Sequence, residues 1–160
     1  MGCGFDNPGN DKPLQGNSKV KEKGSRRLGR IFAAQVLYPT RINLKLSTDN
    51  LEKIISLNTQ EYDKEVLNFA RTLLNLAEEH LEEADKSIKA VLENWEWDRL
   101  CAMDKAILGI AVLELLYLSD IPARVVINEA IEIAKEFSTE KSGIFVNGIL
   151  DSIAREKGLL

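Results

Sequence analysis

Apolar residues recur every three or four positions along most of this chain, and nowhere does a useful length alternate as a strand would. From Ser25 the residues Leu28, Phe32 and Val36 fall on one side of a helical wheel, flanked by Ile31 and Gln35, and Pro39 ends the pattern. A short second helix follows "STDN", with Asp49 and Glu52 spaced as a capping pair and Leu51, Ile54 and Ile55 as its apolar side. Thr59 is placed to cap a long third helix through Val66, Leu67, Ala70, Leu73, Leu74, Ala77 and Leu81. A fourth, over about 83–94, turns Ile88, Val91 and Leu92 inward and leads to a turn flanked by Trp95 and Trp97.

Residues 106–118 are apolar nearly all round, which predicts a central helix packed on several sides. After it, Ser119 or Asp120 near the cap and Pro122 in the first turn open a helix with Ile127, Ala130, Ile131, Ala134 and Phe137 inward. The last helix, near 142–156, buries Val146, Ile149, Leu150 and Ile153 and stops before Gly158. The fold class is therefore all-α, with about seven helices and no internal repeat. At 160 residues and 44% hydrophobic, the chain is long enough to bury one sizeable core without metal or disulfide staples.

Residues 1–24 break the pattern. They are rich in Gly, Pro and Asn with few apolar side chains, which predicts a flexible basic tail ahead of a helical domain over 25–160. The N-terminal residues lack the apolar h-region of a secretory signal, "MGCGFD" does not fit the myristoylation pattern, and the apolar run at 106–118 is too short to span a bilayer and contains Glu114. A cytoplasmic protein is expected. Cys3 and Cys101 are far apart, so their spacing suggests neither a disulfide framework nor a zinc site, and Cys101 reads as a small core residue.

Charge adds what the hydrophobic pattern does not show. The whole chain carries a formal charge of -4, yet residues 1–41 hold eight Lys/Arg against three Asp/Glu. Lys19, Lys21, Lys23, Arg26, Arg27 and Arg30 cluster with only Glu22 among them. Lys23, Arg26, Arg27 and Arg30 are spaced i, i+3, i+4 and i+7, so they share one helix face, expected to point outward opposite Leu28, Phe32 and Val36. Charged outer faces are ordinary on amphipathic helices. This one, however, is of a single sign, adjoins further lysines, and stacks cations where the helix dipole is already positive, so an anionic partner explains it better than local stability does. Gly24 and Gly29 would also permit close backbone approach to a phosphate chain.

No combination of nucleophile and base, metal cluster or phosphate-cradling loop is visible, so neither catalysis, cofactor nor metal is expected. His80, the single histidine, reads as a surface helix position, and Glu78, Glu79, Glu82, Glu83 and Asp85 as a solvated face suited to a basic protein. Phe145 lies at the margin of its helix stripe and reads either as a rim aromatic or as ordinary packing. Asn147 and Gly148, both poor helix formers, hint at a polar contact or close packing there.

The stretches "DKAIL", "AVLELLYL", "IPARVVINEAIEIAK" and "EKSGIFVNGILD", with "RRLGRIFAAQVLY" near the start, resemble the NusB family of transcription antitermination factors over most of 25–154. The resemblance implies an all-helical fold of two packed subdomains and no catalysis. It implies binding of a single-stranded boxA-type RNA of rRNA operons together with the ribosomal protein NusE, within an RNA polymerase antitermination complex. Position by position it places Arg26, Arg27 and Arg30 in the Arg-rich first helix, and Tyr38, Lys141, Ser142, Phe145 and Asn147 near the RNA. Ile144, Cys101 and Gly109 depart from the family pattern, where Lys, Pro and Arg are common. Three alternatives stay open: a helical protein-interaction scaffold without RNA binding, a homodimer that hides the basic face, and a stand-alone relative of the NusB-like domain of rRNA cytosine methyltransferases. The last would need a further cofactor-binding domain beyond Ala154.

Overall fold

The computed structural model describes residues 24–42, 48–93 and 96–160, without the side chains of Thr48 and Asp49. Among them are six α-helices and no strand: α1 Ser25–Leu37, α2 Thr48–Leu57, α3 Lys64–Ala90, α4 Ala102–Tyr117, α5 Ala123–Phe137 and α6 Glu140–Glu156. Short 3-10 turns follow α1 (Tyr38–Ile42) and precede α4 (Trp97–Arg99). The expected basic tail, Lys23, the Asp49 cap and Trp95 lie outside the described residues.

The expected third and fourth helices are one. Ala84 and Ile88 are fully buried and continue the stripe of Leu73, Leu74 and Ala77 through the acidic run, which holds good helix formers and no breaker. At 27 residues α3 is about 40 Å long. Its cap position belongs to Asp63 rather than Thr59, whose hydroxyl donates instead to the Ser56 carbonyl in the turn after α2.

Helix α4 is buried continuously from Asp104 to Leu115 and packs against α1, α3, α5 and α6, as its all-round apolarity predicts. Residues of all six helices join one hydrophobic core. The expected division into two subdomains reduces to a difference of emphasis: α1 packs chiefly on α3, α6 chiefly on α5, and α4 serves both sides.

Pro122 stands at the cap position of α5, which buries Val126 and Ile133 as well as Ile127, Ala130 and Ala134, while Ile131 and Phe137 are half-buried. Helix α6 starts two residues before its expected position because the Thr139 side chain accepts from the Ser142 backbone N–H at 3.0 Å. It ends where Gly158, at φ 69°, lets the Leu159 N–H return to the Ala154 carbonyl. No described helix is long and apolar enough to cross a membrane. Cys101 is half-buried before α4.

Candidate nucleic-acid interface

The basic face of α1 divides residue by residue. Arg26 is exposed, with its guanidinium over the Phe69 ring at 5.4 Å, and no carboxylate of the described residues pairs with it. Arg27 is half-exposed and forks onto Glu129 of α5, its Nε donating to Oε2 at 2.6 Å and its Nη2 to Oε1 at 2.8 Å. That fork raises the Arg27 pKa and holds the Glu129 carboxyl below the usual carboxylate range.

Arg30 does not face outward. It is 4% exposed, and its Nε donates to both Glu114 oxygens, at 3.0 and 2.8 Å, while Nη2 donates to Oε1 at 2.8 Å. Glu114 is itself 1% exposed, and burial pushes its carboxyl up against the opposing pull of Arg30. The outward expectation failed for Arg30 because α4 and α5 cover this turn of α1. Two carboxylates on those helices meet the charge, since Nη1 also lies 3.8 Å from Glu129.

Gly29 is buried for a related reason. A Cβ there would sit 2.8 Å from Phe69 Cδ1 and 3.1 Å from the Val66 carbonyl, so the close approach it permits is to α3 and not to a phosphate chain. Arg41, the last cation of the basic segment, also turns inward. It forks onto Asp85 at 2.7 and 2.8 Å and donates to the Lys105 carbonyl at 3.2 Å. Its guanidinium fills the space over Gly109, where a Cβ would lie 2.6 Å from Nη2. Trp97 stacks beneath Arg41, Lys89 and Lys105.

At the start of α6, Lys141 and Asn147 are exposed and Phe145 is half-buried against the core. Ser142 is buried at the contact of α6 with α4. It is 6% exposed, and its hydroxyl donates to Asp104 Oδ2 at 3.0 Å within a cluster with Ser138 and Thr139 that ties α6 to α4. Burial raises the Asp104 carboxyl, against the hydrogen bonds from Ser138 and Ser142. Gly143 is buried because a Cβ would meet Lys135 Cγ at 2.9 Å, whereas Gly148 has nothing within 4 Å, so close packing does not explain it. Ile144, in the place of the usual cation, is 77% exposed. Tyr38 is half-buried in the 3-10 turn after α1.

The two groups of candidates are not joined by any described hydrogen bond or ion pair. Helix α5 connects them, reaching α1 through Glu129 and packing along α6. Between Gly24, Arg26 and Arg27 on one side and Pro122, Val125 and Glu129 on the other lies an open groove of about 510 Å³. Sequence reasoning missed Glu129 and Glu114 as parts of this site. For Glu114 a signal existed: a lone carboxylate in the otherwise apolar run over 106–118 requires a buried cation.

Elsewhere, Glu78, Glu79, Glu82 and Glu83 line the exposed side of α3. His80, half-buried among them, stacks on Tyr117 with ring centroids 4.3 Å apart.

A model described as the NusB family matches residues 27–155. The transcription antitermination protein NusB of Thermodesulfovibrio yellowstonii is 37% identical over 140 residues, covering 82% of this chain and 93% of that one. The solved structure of T. maritima NusB superposes with a TM-score of 0.69 at 38% identity, covering 84% of this chain and 92% of that one. A crystal structure of antitermination factors NusB and NusE in complex with dsRNA superposes with a TM-score of 0.70 at 28% identity, covering 82% of this chain and 97% of the matched one.

Proposed function

The chain belongs to the NusB family, and on that premise we propose that it is a cytoplasmic, non-catalytic antitermination factor. In this reading it binds single-stranded boxA-type RNA of rRNA operons together with NusE and joins an RNA polymerase antitermination complex. The family match over 27–155 carries the reading, because it includes Arg27 of the cationic α1 end and all of α6 but its last residue. A solved relative that holds NusE and RNA together supports the same pair of partners.

The geometry supports a division of labour on the RNA side. Arg26, exposed and without a described carboxylate partner, meets phosphate, and Arg27 meets it at the groove rim. Lys141 and Asn147 offer exposed polar contacts, and Phe145 offers a partly open ring. Lys23 and the other lysines of residues 1–24 add positive charge beside α1 in the sequence, and Tyr38 lies near the RNA path. The exposed acidic side of α3 suits a basic ribosomal protein.

Titration of a labelled boxA-type RNA, single-stranded and as a duplex, with this protein, with NusE and with both, tests the reading. Cooperative binding is expected, with the mixture holding the single strand more tightly than either protein alone. Equal affinity with and without NusE would remove the adaptor mechanism.

A further inference from the structure

Arg27 carries its own counter-charge, and the residue that supplies it stands in the same groove. We propose that Glu129 is an anionic latch on Arg27: in the RNA-free protein it holds the guanidinium against α5, and a phosphate backbone must draw Arg27 away from it. Glu129 thereby sets the affinity and the salt dependence of the interface. This inference rests on the RNA-binding reading above.

Three observations carry it. The fork occupies Nε and Nη2, so the pair presents a nearly neutral dipole where a lone arginine would present a full charge. A phosphate meeting the remaining Nη1 edge would also lie close to the Glu129 carboxylate, and like charges at that range repel. Second, the pair sits at a rim where it can exchange partners. The side chains of Arg27 and Glu129 keep 34% and 20% of their surface exposed, against 5% and 1% for Arg30 and Glu114. Third, releasing Arg27 does not strand Glu129, because Arg30 Nη1 already lies 3.8 Å from its Oε2.

The rest of α5 strengthens the restraint. Glu132 and Glu136 follow Glu129 at i+3 and i+7 and add their attraction for Arg27, so one face of α5 competes with phosphate for the same cation. The neighbouring Arg26 is drawn by the buried Glu114 only through space and forms no fork or ion pair with a described carboxylate, which makes it the first point of phosphate contact and Arg27 the second, gated one.

The test is fluorescence anisotropy of a labelled single-stranded boxA-type RNA across a salt series, with the full-length wild type, Glu129→Gln, Arg27→Gln and the double variant, each checked by thermal unfolding. Glu129→Gln keeps the side-chain shape and removes the charge. It is expected to bind roughly three- to tenfold more tightly at low salt and to steepen the slope of log affinity against log salt by about 0.7, one further phosphate neutralised. Arg27→Gln alone is expected to bind about two- to threefold more weakly, the net worth of a contact that must first leave Glu129, and in the double variant to cancel the gain. A folded Glu129→Gln that binds no more tightly than the wild type would show that Glu129 only positions Arg27, and would overturn the latch while leaving RNA binding standing. Should that variant not fold, Arg27→Gln decides, because a loss of more than about tenfold would mean that Arg27 is engaged despite Glu129. A wild type that binds no RNA, alone or with NusE, removes the functional reading and the latch together.

Discussion

Arg26 and Arg30 stand one turn apart on α1 and share the Phe69 ring, at 5.4 and 5.3 Å, yet they belong to different parts of the molecule. Arg26 meets solvent, while Arg30 is enclosed with Glu114 by α4. The start of α6 repeats the contrast, with Lys141 exposed and the adjacent Ser142 built into the hydrogen bonds that hold α6 to α4. Residue type and wheel position are the same kind of signal in each pair. What separates the exposed residue from the structural one is which carboxylate the packed partner helix delivers.

The largest effect that can break this comparison lies at the buried pair. Arg30→Gln would leave Glu114 buried without its cation, and breaking such a pair costs about 3–5 kcal/mol. Chemical denaturation of the variant beside the wild type measures it. A loss below about 1 kcal/mol, the range of a surface ion pair, would put Arg30 back on the surface. Changing Arg26, Arg27 and Arg30 together is therefore a poor probe of phosphate contacts, since the fold would respond as well.

Phe145 sharpens the comparison at α6, because it is half-buried and belongs to neither class by exposure alone. If one base stacks on it, Phe145→Ala should weaken RNA binding by about 1–3 kcal/mol with the salt slope intact. Parallel unfolding curves decide the matter: a marked stability loss at unchanged RNA affinity would make Phe145 a packing residue.

Much of the fold was legible because its signals are local. The stripe of Val146, Ile149, Leu150 and Ile153 is buried where the spacing placed it, and the all-round apolar stretch became the central α4. The split of α3 failed because a run of glutamates looks like a surface interruption, although glutamate is a good helix former and Ala84 and Ile88 keep the buried stripe going. The site was less legible, for a physical reason. Whether the arginine face of α1 meets water depends on Glu114 and Glu129, which lie 84 and 102 residues from their partners in sequence, and helix periodicity carries no information over that range. Ser142 likewise looks free until Asp104 is brought within 3.0 Å.

The central claim is that Arg26 acts on RNA and Arg30 acts on the fold. The most direct test is the salt dependence of boxA-type RNA affinity for Arg26→Gln and Arg30→Gln, each measured where unfolding curves show it folded. Arg26→Gln should lower the slope by about 0.7, the share of one phosphate on a single strand, with stability within about 0.5 kcal/mol of the wild type. Arg30→Gln should lose stability and keep the slope; a slope lost with Arg30 and retained without Arg26 would contradict the account.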